Sequence, residues 1–380
     1  MDKPSLELLR TMTDENVLRT LMQHRRLTRA ELAAATGISK PTVGESVRRL
    51  GEAGLVVDTG ERTQGGRGRG RVGTYYALAE EVGTALAISV APEGVVAERI
   101  DAYGEVVARS EEAVARPAHP TDVAAALHKA AAAASGPPAA SGTASAAGAA
   151  AGGRIRVAVV SAADPVDRAS GRMIHLPDSP FLLGELDPHD VLAPLVAGPI
   201  VVDNDVNWAA RAERDDARDF AYLYLGEGLG GAIVSDGEVR QGAGGLAGEI
   251  AHLITVGPSG RATRLIDVFD ELGLRQPDST AIDVTRLLAT IAATGEDVRR
   301  ALGEAVAGVI AAIVALTDPS YVVIGGPWGT HPAILAAITT AAADQPRQVP
   351  IRAARRTGEP SLTGARLDAL DRLRDAIVRA

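Results

Sequence analysis

Apolar and polar positions change their spacing several times along this chain, and each change marks an element. Residues 14–26 (DENVLRTLMQHRR) place Val17, Leu18, Leu21 and Met22 on one helical face. Thr28 with Glu31 then forms a capping-box start for a short helix, TRAELAAAT, which Gly37 ends. Ser39 is the N-cap of the next helix, with Lys40 and Pro41 in its first turn, where proline is tolerated. Leu32, Ala33, Ile38, Val43, Val47 and Leu50 fall at spacings that let the two helices share one apolar seam. The pair predicts a helix-turn-helix. Its second helix leaves Ser39, Lys40, Thr42, Glu45, Ser46, Arg48 and Arg49 free to face a DNA groove. Gly54-Leu55-Val56-Val57 and Thr74-Tyr75-Tyr76-Ala77-Leu78 read as strands around a basic, glycine-rich tip, GERTQGGRGRGRVG. That is a wing, on which Arg62, Arg67, Arg69 and Arg71 can track phosphates or enter a narrow minor groove.

Beyond Ala85 the period shortens to that of strands: ALAISVA, VVAERIDA and GEVVARSEE. TDVAAALHKAAAAA predicts a helix, and SGPPAASGTASAAGAAAGG, without any apolar period, predicts a flexible insertion. Regular texture returns with the strand RIRVAVVSA, the strand and polar turn PIVVDNDVN, the helix WAARAERDDA and a glycine-turned strand pair, FAYLYLGEGLGGAIVSDGEVRQG. A long apolar helix, EAVAGVIAAIVALTD, then leads into the buried strand YVVIGG. Strand, glycine turn and helix in repeated order predict an α/β body with ligand at the carboxyl ends of its strands.

Composition adds further constraints. At 380 residues and 46% apolar content, the chain is expected to form two or three domains with sizeable cores. It has no cysteine, which excludes disulfides and thiolate metal sites. No apolar run reaches the roughly 18 residues of a membrane span, so a cytoplasmic protein with no membrane partner is expected. The net charge of −9 is unevenly spread: residues 1–75 hold 13 Lys and Arg against 9 Asp and Glu, and the remainder 26 against 39. A basic amino-terminal unit on an acidic body suits a DNA reader joined to a domain that does not bind DNA.

The winged helix, then DNDVN, then LGEGLGGAIVSDGEVRQGAGGLAGEIAH, then DPSYVVIGG resemble the ROK family of repressors, open reading frames and kinases. The resemblance runs in order over nearly the whole chain, with the glycine-rich segment ending in GEIAH its most specific part. It implies an α/β fold: a winged helix-turn-helix over residues 1–80, then an actin-like, hexokinase-type body of two lobes over residues 81–380, carrying the Ala/Gly/Ser/Pro insertion at 135–153. It also implies that Asn204, Asp205, Glu249 and His252 hydrogen-bond sugar hydroxyls, a role their chemistry suits. A plainer reading makes Asp205 and Asn207 caps of a helix beginning at Trp208, and has Glu249 and His252 satisfy buried backbone.

Several positions depart from the family pattern. Where its kinases carry Asp-x-Gly-Gly-Thr this chain reads AISVAPEG, with Ser89 near the expected Asp. The second phosphate loop is Gly226-Glu227-Gly228, whose carboxylate opposes a polyanion. The family's zinc cysteines are replaced by GPSGRATRLIDVFD, leaving Leu265, Ile266, Val268 and Phe269 to hold the loop and Asp267 as the nearest acidic candidate for a further sugar contact. The family's Pro-Gly-x-Val-Asp turn has become Ala163-Asp164-Pro165-Val166-Asp167. The resulting expectation is a regulator, most simply a repressor, that is not an enzyme and uses no metal or cofactor. Its expected partners are a double-stranded DNA operator, a sugar effector and further copies of itself, as homodimer or homotetramer. The alternatives are a regulator blind to sugar, with the body as a dimerisation scaffold, and a residual sugar kinase bearing a DNA-binding appendage.

Overall fold

The computed structural model describes residues 6–63, 73–136, 154–176, 181–214, 217–293 and 295–380. Arg67, Arg69 and Arg71 of the predicted wing tip, and residues 137–153 of the predicted insertion, lie outside them.

The amino-terminal unit comprises α1 (Leu6–His24), β1 (Arg26–Thr28), α2 (Arg29–Thr36), α3 (Lys40–Glu52), β2 (Val56–Arg62) and β3 (Thr74–Leu78), with strand order β1-β3-β2. Its turns are set locally. Thr28 and Glu31 form the reciprocal capping box, each side chain accepting from the other's main-chain N–H (3.3 and 2.8 Å). Gly37 ends α2 at φ 71°, a left-handed conformation natural to glycine, and Ser39 caps α3. The predicted winged helix is present. Its first helix begins at Leu6 rather than near Asp14, because good helix formers extend it where no core stripe is needed.

The body is one topology used twice. In the first lobe, β4 (Thr84–Ala91), β5 (Gly94–Ile100), β6 (Val106–Glu112), α4 (Pro120–Ser135), β7 (Ile155–Ala162), α5 (Pro188–Leu192), β8 (Ile200–Asn204) and α6 (Asp205–Ala212) build a sheet of order β6-β5-β4-β7-β8. In the second, β9 (Phe220–Leu225), β10 (Leu229–Ser235) and β11 (Glu238–Val239) are followed by a β12 (Ile254–Val256) and β13 (Ala262–Arg264) ribbon. Then come α7 (Leu265–Glu271), α8 (Val284–Ala293), α9 (Glu296–Thr317), β14 (Val322–Gly325), α10 (Pro332–Ala342) and β15 (Ile351–Ala353), after which α11 (Pro360–Val378) returns to the first lobe. The second main sheet has order β11-β10-β9-β14-β15. In both lobes an antiparallel hairpin pair is extended by two parallel strands on its other edge. The long apolar α9 meets the length and hydropathy of a membrane span, yet 56% of its apolar window is buried, in the core of the second lobe.

Alternation along β4 splits the first lobe into two cores. Leu86, Ile88 and Val90 pack against α4, whereas Ala85 and Ala87 face α11. The second of these cores continues without a break into the winged helix. Val17, Leu18, Leu21, Val43, Val47 and Leu50 share one apolar cluster with Val157, Val159, Trp208, Leu373 and Ile377. Polar contacts stitch the same boundary. The Tyr103 hydroxyl accepts from the Leu78 N–H (3.2 Å) and donates to the Arg25 carbonyl (3.3 Å), and Arg19 pairs with Asp375 at 3.0 Å.

Candidate functional site

Two surfaces carry candidate chemistry: the outer face of α3 and the cleft between the lobes. On α3, Ser39, Lys40, Thr42, Glu45 and Arg48 are exposed, as predicted. Two residues are not free. Ser46 is fully buried and donates to Asp14 Oδ1 at 2.5 Å. Arg49 is held by the same carboxylate through Nε (3.0 Å) and Nη2 (2.6 Å). Asp14 of α1 therefore turns both side chains inward, and the expectation that they face a groove is corrected. Arg48 is the exposed guanidinium of the pair, resting between Glu45 (3.0 Å) and Glu52 (2.6 Å) on the surface. Arg62, at the root of the wing, pairs with Asp58 at 3.0 Å.

The cleft is a cavity of about 840 Å³ lined from both lobes, and Asn204, Asp205, Glu249 and His252 all border it. The structure thus brings together two motifs from distant parts of the sequence, DNDVN and GEIAH. Their local roles differ. Asn204 is the N-cap of α6, accepting from the Val206 N–H (3.0 Å) and donating to the Ala162 and Asp164 carbonyls (3.4 and 3.3 Å). Its amide is spent on joining β7, β8 and α6, which places Asp205 in the first turn of the helix. The helix starts at Asp205 rather than at Trp208, and Asn207 is buried, donating to Asp203 Oδ1 at 2.7 Å. Neither Asp205 nor Asn207 is the cap.

Glu249 arrives through the glycines. Gly248, at φ 105°, accepts a hydrogen bond from the Gly231 N–H (2.8 Å) across β10. A Cβ on Gly248 would sit 1.9 Å from the Gly231 carbonyl oxygen, so only glycine lets the GEIAH segment lie on the strand and project Glu249 into the cleft. Burial pushes the Asp205 carboxyl up to about 7, reinforced by the negative charges of Asp164 and Glu249. Burial, reinforced by Asp164, likewise raises Glu249 to about 7. Two half-buried carboxyls with raised pKa on one cavity wall can accept or donate protons near neutrality and can hydrogen-bond hydroxyls in either state.

Sequence reading missed other members of this wall. Glu93, Tyr224 and residues 358–361 border the cavity, and Asp164, 1% exposed, acts on both raised carboxyls from behind. Asp267 is engaged elsewhere: Arg264 (2.6 Å) and Arg275 (2.9 Å) bind it and lower its pKa, and it is not among the residues that border the cavity. Leu265, Ile266, Val268 and Phe269 are buried on α7, holding the loop by packing. The zinc of the family does not fit: His252 is exposed, the chain has no cysteine, and no metal-binding group of three His, Asp or Glu occurs among the described residues.

Comparison with known proteins decides the family. The chain is 31% identical over 232 residues to the N-acetylmannosamine kinase of Citrobacter koseri, spanning 57% of this chain and 76% of that one. A model of the ROK family matches residues 139–264. The chain belongs to the ROK family. A model of winged helix-turn-helix DNA-binding units matches residues 12–57. The N-acetylmannosamine kinase of Salmonella typhi is 28% identical over 56% of this chain and 84% of its own length. Among solved structures, a ROK family transcriptional regulator, a homolog of the E. coli MLC protein, superposes over 98% of both chains at TM-score 0.63 and 18% identity. A ROK family glucokinase from Streptomyces griseus, solved with glucose and AMPPNP, matches 76% of this chain and 99% of its own at TM-score 0.52 and 21% identity. The chain thus joins a winged helix-turn-helix of the DNA-binding kind to a ROK body.

The expectation that it is not an enzyme is overturned by the kinase relatives, which cover more than half of the chain. Altered loops at Ser89 and Glu227 do not by themselves establish inactivity when Asp205 is retained at the cleft.

Proposed function

We propose that this ROK protein is a transcriptional regulator that binds an operator through α3 and the wing and senses a sugar or sugar derivative in the interlobe cleft. The observation that carries the reading is the cleft itself: Asp205 and Glu249 converge from different lobes on an 840 Å³ cavity, in a chain whose winged helix is fused to one of those lobes. Exposed Ser39, Lys40, Thr42, Glu45 and Arg48 are the proposed groove-facing set, with Arg62, Arg67, Arg69 and Arg71 on the phosphates. Asp205, Glu249 and His252 are the proposed hydroxyl-binding set, which Asn204 serves by holding the start of α6. A dimer or larger assembly follows from the need to read two half-sites.

The test is thermal unfolding of the full chain against glucose, N-acetylmannosamine, glucosamine and their 6-phosphates, with Asp205→Ala alongside. A ligand that binds only the native state raises the midpoint. A shift with one sugar that is lost in the variant supports the reading; no shift from any sugar, in protein that still binds its operator, removes the sugar. A second reading, phosphoryl transfer to a sugar, is favoured by the kinase relatives. ATP, magnesium and the same sugars, with Asp205→Ala as control, test it directly.

A further inference from the structure

Because the two lobes share one topology, the β4–β5 turn and the β9–β10 turn are equivalent positions, and they border the cleft from its two sides. The first carries Pro92-Glu93 and the second Gly226-Glu227-Gly228. Arg116, in the segment between β6 and α4, reaches both. Its Nε donates to the Pro92 carbonyl (3.4 Å) in the first lobe, while Nη1 and Nη2 donate to the two carboxylate oxygens of Glu227 (2.6 and 3.2 Å) in the second. Glu227 is in turn fixed from its own lobe. Gln276 Nε2 donates to its carboxylate at 2.9 Å, and its carbonyl accepts from the Ile282 N–H at 2.9 Å.

We propose that the Arg116–Glu227 pair is a latch that holds the two lobes closed over the cleft. A fork-on-carboxylate geometry is the strong form of an ion pair. Here the carboxylate is already immobilised, so little freedom is lost when the guanidinium docks. The pair is partly exposed, with 47% and 21% of the side chains accessible, so its contribution is modest: about a fivefold bias toward the closed arrangement. A modest bias suits a device that must open and close. A second crossing, in which Arg168 reaches the Gly242 and Gly244 carbonyls (2.9 and 3.3 Å), joins the lobes at a separate point. Opening therefore means parting the hairpin tips rather than separating the lobes. The latch deepens the regulatory reading above, resting on it only for the consequence at DNA.

Since the chain has no cysteine, two introduced ones report cleanly. Nitroxides on Ala133→Cys (α4) and Ala292→Cys (α8), both exposed positions in opposite lobes, give the interlobe distance distribution in full-length protein without ligand. Arg116→Ala and Glu227→Ala are each expected to shift population about fivefold toward longer distances. The double variant should add nothing further, and the charge-reversed Arg116→Glu/Glu227→Arg protein should return to the closed distribution. Distances unchanged in both single variants overturn the latch. So does opening that the reversed pair fails to restore, since the effect would then lie in packing around Arg116. Operator affinity measured on the same proteins is a separate readout: an opened cleft with unaltered affinity leaves the latch standing and removes the regulatory reading.

Discussion

Asp205 and Glu249 sit near neutrality because the cleft withholds water from two carboxyls that also repel each other and Asp164. The sign of the consequence follows. Between the ordinary carboxylate range and about 7 the native state keeps protons that the unfolded chain has released, so stability falls as pH rises through that window. Asp205→Asn should flatten the decline, and its melting midpoint at about pH 8 should exceed that of the natural chain. A parallel pH profile for the two proteins would place the burial of Asp205 in doubt. On α3 the two neighbouring arginines part company. Arg49→Ala loosens Asp14 and Ser46 and should lower stability by about 1 kcal/mol, because a half-buried polar cluster is left under-satisfied. Arg48→Ala should leave the midpoint within about 0.5 kcal/mol of the original and weaken operator binding instead. Urea unfolding and operator titration of both variants separate these roles.

At the scale of elements, α11 and α6 meet closely. A Cβ on Gly364 would lie 1.9 Å from the Trp208 carbonyl oxygen, so the two helices meet backbone to backbone. Gly364→Ala must push them apart, at a cost of about 3 kcal/mol, with the indole of Trp208, which donates to the Val160 carbonyl (3.0 Å), as an internal reporter of the displacement. An unchanged unfolding midpoint would mean that the two helices pack more loosely than described. The wing makes a different prediction. If Arg67, Arg69 and Arg71 neutralise phosphates, replacing all three with serine reduces the slope of log affinity against log salt by about 0.9 for each phosphate no longer neutralised, at any operator sequence. An unaltered slope would remove the wing from the interface.

For the whole molecule, the decisive feature is a winged helix that shares its core with the first lobe. Leu373 of α11 is fully buried in that common cluster. Leu373→Ala should therefore lower hydrogen-exchange protection in α3 and in β7 by similar amounts, about 2–5 kcal/mol in opening free energy. Protection reduced in β7 alone would mean that the winged helix unfolds independently. Because the reader and the first lobe share this core, the proposed ligand would act on the joint that is left, the cleft between the lobes. On the proposed function, closure there would turn the winged helix relative to the second lobe and so, in a dimer or larger assembly, change the spacing between readers.

What the chain alone determines is whatever neighbours in sequence can settle. Thr28 with Glu31, Gly37 and Ser39 specify the helix-turn-helix because caps act over three or four residues, and the apolar run of ALAISVA specifies a strand. The motif residues Asp205 and Glu249 were legible as a pair through their resemblance to family members. Tertiary structure decided the rest. Ser46 and Arg49 look exposed from their own helix, and Asp14, over thirty residues earlier, turns them inward. Leu362, Ala365, Ala369 and Leu373 are buried along α11, and nothing local says that this helix returns to the first lobe beneath the winged helix. Glu227 reads from sequence as a carboxylate spoiling a phosphate loop, and only the folded chain places Arg116 opposite it. Caps and periods are short-range interactions encoded along the chain; which buried charge meets which partner depends on loop closures that the order of residues does not spell out.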